Sequence, residues 1–321
     1  MPKQHDDKKH GTGETGEKDI RTEESKPIRR LNLMHLGIFR QFHEHKRTAI
    51  FYFLLRSIVV AVLIFSLFKG SYESVFICIL TLIVFILPAF VEINYHLDVP
   101  DTLEILIMAS VFASAILGEL GSFYLLVPFW DTALHAINGF VMAAVGFSLI
   151  DLFNRNEKFS FKVSPMFVVF TGFCFSMTLG VLWEFVEFLM DQFTGTDMQK
   201  DMIIHTINSV ALDSKGMQVV HVSDISQTSV NGTVLPINGY LDIGLIDTMK
   251  DLFVNFIGAI VFSFYGYYYL IHRGKQNQWV DKLLPTWMDE KQIAQIEKLK
   301  KEATTGYSGN KRSVNKRKKN R

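Results

Sequence analysis

Gly180-Val181-Leu182-Trp183-Glu184-Phe185-Val186-Glu187-Phe188-Leu189-Met190-Asp191 closes an apolar run that begins near Pro165. In a helix Glu184 and Glu187 stand three apart and Glu187 and Asp191 four apart, so all three carboxylates share one face. The rest of the stretch is hydrocarbon, and the run exceeds the roughly 20 helical residues that cross a bilayer core. An ionised acid at mid-depth costs roughly 2.5 to 3.5 kcal/mol and less near the interface, so acids in such a run are functional candidates.

Working outward, the same reading applies to most of the chain between Ala49 and Leu270. Apolar runs predict spans over 49–69, 72–91, 102–120, 130–150, 165–190 and 249–271. The expected fold class is all-α: a polytopic, six-helix transmembrane bundle, with a small extracytoplasmic insertion between spans five and six. The chain has 321 residues, 49% hydrophobic and 13% aromatic, and its net charge of +1 hides strong segregation, because both ends are polar and basic. Cys78 and Cys174 sit inside apolar runs, which excludes a disulfide framework and a thiolate metal site. The first 48 residues lack an early apolar stretch, so the first span is expected to be an uncleaved anchor.

Basic residues orient the bundle. Arg40, Lys46 and Arg47 precede span one, Arg155, Lys158 and Lys162 follow span four, and Arg273 and Lys275 follow span six. The positive-inside rule places these segments, and with them both termini, in the cytoplasm of a multi-pass cell-membrane protein. Residues 1–27 read as a disordered polar tail. Residues 28–48 read as a basic interfacial segment and 49–271 as the membrane domain, with 192–248 as its outer insertion. Residues 272–321 read as a cytoplasmic basic tail with a short helix over 289–302. In the insertion, Gln218–Val222 alternates weakly and Asn231-Gly232 is a hairpin turn signal, so a small β-hairpin is expected there. The basic termini suit anionic lipid at the bilayer surface and form no specific nucleic-acid site.

This topology brings scattered polar residues to one depth. Span four opens with Trp130-Asp131-Thr132-Ala133-Leu134-His135, span five ends with Glu184, Glu187 and Asp191, and span six begins Asp247-Thr248-Met249-Lys250-Asp251. Span three ends at Gly118-Glu119 on the same side. Arg56 is placed too deep in span one to balance these acids. Crowded carboxylates must take up protons, reach water or bind a cation. A divalent metal ion is the cofactor these residue types imply: carboxylate oxygens suit magnesium, calcium or manganese, and an imidazole also admits zinc or iron. The metal ligands are drawn from His135, Asp131, Glu184, Glu187, Asp247 and Asp251, and the catalytic residues from Glu184 and Glu187.

Plainer roles compete. Asp131 and Asp247 suit helix N-termini as caps. Asp191 and Glu119 read as solvated interface acids, and His135 fits helix packing as well as ligation. Asn138 and Asn255 fit interhelical hydrogen bonds, and glycines 139, 146, 172, 180 and 258 fit close helix packing. Trp130 and Trp183 read as interface aromatics. The sequence contains no GxSxG elbow, HExxH, Walker loop or dinucleotide fingerprint.

Taken in order, Gly118-Glu119 with Phe123-Tyr124, Asp131 with His135 and Gly139, Trp183-Glu184 with Glu187, and Asp247 with Asp251 and Gly258 make the chain resemble the YjdF-type family of bacterial membrane proteins. A more distant likeness is to VanZ-type membrane proteins. The resemblance covers roughly residues 80–190 and 240–270, and it implies a six-helix bundle with no settled reaction. Three functions fit the residues. The first is a metal-dependent hydrolase of a lipid or cell-envelope substrate at the outer leaflet. The second is a proton- or cation-coupled transporter, and the third a non-catalytic structural or regulatory membrane protein.

Overall fold

The computed structural model describes residues 46–155, 163–273, 279–298 and 301. The polar 1–27 segment, nearly all of the 28–48 segment, the loop lysines Lys158 and Lys162, Lys275 and the basic 302–321 tail lie outside them. The described chain is predominantly helical: α1 Lys46–Lys69, α2 Tyr72–Val84, α3 Leu87–Tyr95, α4 Asp101–Phe112, a π-helical turn Ala113–Leu120, α5 Phe123–Leu126, α6 Trp130–Arg155, α7 Pro165–Thr194 and α8 Leu245–Ile271. Among the described residues five helical stretches are long and apolar enough to cross a membrane: Ile50–Lys69, Ser74–Tyr95, Asp101–Leu120, Trp130–Arg155 and Pro165–Thr194. The protein is therefore a multi-pass, polytopic membrane protein.

Two compact units divide the chain. Among the described residues one comprises 46–57, 83–98, 287–298 and 301, and the other 58–82, 99–155, 163–273 and 279–286. In the first, the apolar stretch expected as one helix over 72–91 is interrupted before Pro88, whose ring nitrogen has no proton to donate. Arg56 Nη2 donates to the Phe85 carbonyl there at 2.7 Å. An arginine that sequence alone left without a role thus satisfies a backbone group next to a helix break, where lipid offers no donor. Residues 290–298 of this unit are helical. Their start is a reciprocal cap, in which Gln292 N donates to Asp289 Oδ1 at 2.7 Å and Asp289 N to Gln292 Oε1 at 2.9 Å.

The second unit is built on α6, α7 and α8, each packed against the other two. Between lipid-soluble helices burial of hydrocarbon gives little net drive, so close packing and internal hydrogen bonds must hold them. Small residues make that possible. A Cβ on Gly172 of α7 would lie 2.8 Å from the Ala143 carbonyl of α6, and one on Gly258 of α8 would strike the Ala136 carbonyl and come within 3.0 Å of Phe140 N. Ser176 Oγ of α7 donates to the Gly139 carbonyl of α6 at 2.8 Å. The fully enclosed Ala143, Ala144, Phe147, Val168, Ala259 and Phe262 form the core, with Phe147 edge-on to Phe262 at 5.6 Å.

One end of this three-helix body is closed by an ion network around Asp151, which is 3% exposed. Arg273, just past α8, donates from Nη2 to both carboxylate oxygens at 2.5 and 2.6 Å. Arg155 Nη2 sits 2.7 Å from Asp151 Oδ2 and donates to Tyr269 Oη at 2.9 Å.

From α7 to α8 the chain forms three small antiparallel ribbons. They pair β1 Ile203–Ile204 with β6 Tyr240–Leu241, β2 Ile207–Ser209 with β3 Val220–Val222, and β4 Ser229–Val230 with β5 Thr233–Val234. The β4–β5 turn is Asn231-Gly232, with φ of 52° and 79°, the pair of positive dihedrals that a type I′ turn demands. Asp213 anchors the β2–β3 connection by accepting from Met217 N at 2.9 Å and Gln218 N at 3.2 Å. Those backbone donors hold its carboxyl below the ordinary aspartate range. A lowered folded-state pKa means that this contribution is complete above the unfolded pKa and is lost as pH falls through the folded one. Amide protection at Met217 and Gln218 is accordingly expected to drop on acidification and to be low at all pH in Asp213→Asn, read by hydrogen exchange corrected for intrinsic rates.

Candidate metal site

α6 presents Asp131 and His135 one turn apart near its start, and α8 presents Asp247, Asp251 and Asn255 on one stripe. The packing of α6 on α8 brings these two stripes together. His135 Nε2 lies 3.4 Å from Asp131 Oδ1 and 3.8 Å from Asp251 Oδ2. One ligand atom from each of Asp131, His135 and Asp251 falls within 4.8 Å of the others. The His135–Asp251 separation exceeds the hydrogen-bond range of about 2.7 to 3.2 Å, while Asp131 is near enough to both His135 and Asp251 for side-chain hydrogen bonding. The 3.4 Å His135–Asp131 pair also matches the edge of a coordination shell, since two ligands each about 2.1 Å from a tetrahedral ion are ~3.4 Å apart.

The other expected site residues sit around this cluster rather than in it. Glu184 is 4% exposed, and both its carboxylate oxygens are buried with no hydrogen-bond partner among the described residues. The Thr248 hydroxyl is close enough to act on Glu184, yet it makes no hydrogen bond of normal geometry to it. It accepts instead from Gln199 Nε2 at 2.6 Å. Glu187 is half-buried, accepts from Trp183 Nε1 at 2.7 Å, and lies in electrostatic reach of Glu184, His135 and Asp131. Asp247 is buried, takes Lys200 N on Oδ2 at 2.9 Å, and faces Lys250 Nζ at 3.9 Å across Oδ1.

Several plainer roles resolve differently from expectation. Asp191, partly exposed, also has a structural role: it accepts from Thr196 Oγ1, Met198 N and Gln199 N at 2.9, 2.6 and 2.8 Å and so folds the chain back after α7. The Asp247 carboxylate accepts from the loop amide of Lys200 rather than from a backbone amide of its own helix. The first turn of α8 is served by Asp242, which accepts from Ile246 N at 2.7 Å. Trp130 Nε1 donates to the Ala113 carbonyl at 3.3 Å, and Gly118 rests against the Tyr124 ring, whose hydroxyl bonds Ser114 at 2.8 Å. Asn255 bridges α8 to α7 through Ser176 O and Met177 Sδ, each at 3.5 Å. The Asp151 network was missed in the sequence, although Asp151 and Arg155 carry the i, i+4 spacing that signals such a pair.

A family model described as a predicted membrane protein (DUF2238) matches residues 51–272, which include every residue of this site. The chain belongs to that family. It is also 28% identical over 97 residues to an uncharacterized protein of Thermotoga maritima, a stretch covering 30% of this chain and 48% of that protein. The chain thus spans about half the length of this curated relative. No solved structure matches it significantly. The family shown is that of predicted membrane proteins, and neither match carries the narrower YjdF-type or VanZ-type likeness.

Proposed function

We propose that Asp131, His135 and Asp251 hold a divalent metal ion and that this DUF2238 protein is a membrane-embedded, metal-dependent hydrolase of a lipid or cell-envelope substrate. In this reading α8 is the sixth span, both termini are cytoplasmic, the site opens toward the outer leaflet and the ribbons between α7 and α8 form its outer insertion. The YjdF-type likeness belongs to the same reading, because its motif residues supply the site.

The carrying observation is the convergence of one imidazole nitrogen and two carboxylate oxygens, all within 4.8 Å of one another, a donor set suited to a shared ion. An ion held by these three residues would lower the pKa of its water and polarise a scissile ester. Glu187 then serves as general base: Trp183 fixes one of its oxygens, and its partial exposure leaves the other within reach of water. The Asp151 network and the Phe147–Phe262 core favour a one-sided site over the through-path that a carrier needs.

The test is turnover of purified protein on phospholipid and envelope-precursor substrates, with chelation and metal replacement. Hydrolysis that stops on chelation, returns with metal, and falls about 10²- to 10⁴-fold in Glu187→Gln is expected, a range typical of a lost general base. Bound metal without hydrolysis of any substrate class would overturn the enzyme, and solute uptake into sealed vesicles would replace it with a carrier.

A further inference from the structure

We propose that the loop 123–129 lies in the bilayer and that its exposed side chains carry the acyl chain of the substrate, which is therefore a membrane lipid reaching the site laterally. This rests on the hydrolase reading above and narrows its substrate class to lipid. The loop joins two helices able to span the membrane, Asp101–Leu120 and Trp130–Arg155, and the candidate ligand Asp131 follows it by two residues. From Gly121 to Trp130 the chain carries no acidic, basic or amide side chain. Leu125, Leu126 and Phe129 are nonetheless 77%, 71% and 80% exposed. Ser122 before the loop and Phe129 at its end both hold left-handed backbone, with φ of 59° and 65°. A bulky residue rarely adopts that conformation, and strain of this kind collects at ligand sites. At Phe129 it leaves an aromatic ring in the open immediately before α6.

A loop in water can leave its amides to the solvent, whereas in lipid they need partners within the protein. Here Leu125 N and Leu126 N donate to the Ser122 carbonyl at 3.0 and 3.1 Å, Val127 N to Phe123 O at 2.9 Å and Trp130 N to Val127 O at 3.2 Å. Pro128 has no N–H to satisfy. The loop is also fastened to the π-helical turn before it: the Tyr124 hydroxyl bonds Ser114 and its ring covers Gly118, while Phe123 meets Trp130 edge-on at 4.9 Å. Tyr124 feels the charges of Asp131, Glu119 and Glu187, which places the fastened side of the loop beside the site. Along the chain the exposed apolar surface continues on α6 at Ala133 and Ile137, four residues apart on one helix face. Helices that enter and leave the bilayer on either side hold the loop at the membrane, where lipid rather than a soluble partner meets it.

The test uses full-length protein reconstituted into phosphatidylcholine vesicles. Phe129→Trp and, separately, Leu125→Trp each add one indole, and the emission beyond that of wild type is followed with brominated acyl chains and with aqueous iodide. Loss of the added emission to brominated chains and not to iodide is expected. Quenching by iodide alone would put the loop in water and overturn the proposal. Protection from both quenchers would assign the surface to a protein contact, a second copy included, and overturn it as well. Leu126→Asp then tests the substrate path: turnover of a vesicle-borne ester lipid is expected to fall about tenfold or more, the scale of one lost apolar side-chain contact, with metal content as in wild type. Undiminished turnover would overturn that path. No turnover in wild type would remove the hydrolase reading and the path with it, while the quenching still decides the lipid contact.

Discussion

Asp151→Ala is expected to produce the largest loss of stability of any single substitution in the three-helix body. Asp151 is almost fully enclosed and receives Arg155 and Arg273 together, the first from its own helix and the second from just past the end of α8. Removing one partner of a buried ion network leaves the remaining charge uncompensated, at a cost of about 3 to 5 kcal/mol. The two guanidinium groups are 34% and 37% exposed, so water screens part of that charge and the loss should lie near 3 kcal/mol. Asp151→Asn keeps one acceptor oxygen but turns an amide donor toward a guanidinium, and it should fall between wild type and the alanine variant. Thermal unfolding in detergent reads the series. Equal midpoints for wild type and Asp151→Ala would show that the network contributes nothing to the closure of that end.

Gly258→Val should remove metal binding without touching a ligand. Its side chain would enter the backbone of α6 at Ala136 and Phe140, and Gly139 meets the backbone of Asn255 in the reciprocal way. Backbone cannot yield as a side-chain tip can, so α6 and α8 must separate. Overpacking of this kind costs about 1 to 3 kcal/mol. Ala136 adjoins His135 and Gly258 lies two turns beyond Asp251, so separation pulls the imidazole from its partner carboxylate. Gly266→Ala is the control, because the atoms nearest its Cβ would be those of the Phe147 and Phe262 rings, at 3.1 Å or more. It should lower the unfolding midpoint slightly and leave metal content unchanged. Metal retained in Gly258→Val would refute the claim that glycine packing sets the site.

Much of this was legible in the sequence because hydrocarbon runs and helical spacing act locally. Asp131 and His135 share a face by spacing alone, and the acids of α7 and α8 reach the same end because successive helices alternate in direction. What spacing cannot give is partner choice. Asp191 and Asp247 resemble Glu184 in the sequence, yet loop amides claim the first two and nothing among the described residues claims the third. That difference depends on how 196–201 folds back, a segment with no periodic pattern. Arg56 finds its role only because Pro88 interrupts a later helix, and Arg273 meets Asp151 across 122 residues of chain.

The most direct measurement of the central claim is thermal unfolding with and without added manganese or zinc, for wild type, His135→Ala and Asp251→Asn. An ion that binds only the folded state adds about 2.7 kcal/mol at a hundred times its dissociation constant. The wild-type midpoint is therefore expected to rise with metal and to fall back on chelation, while both variants stay nearly flat. An equal rise in all three proteins, or none in wild type, would contradict a metal ion held by Asp131, His135 and Asp251.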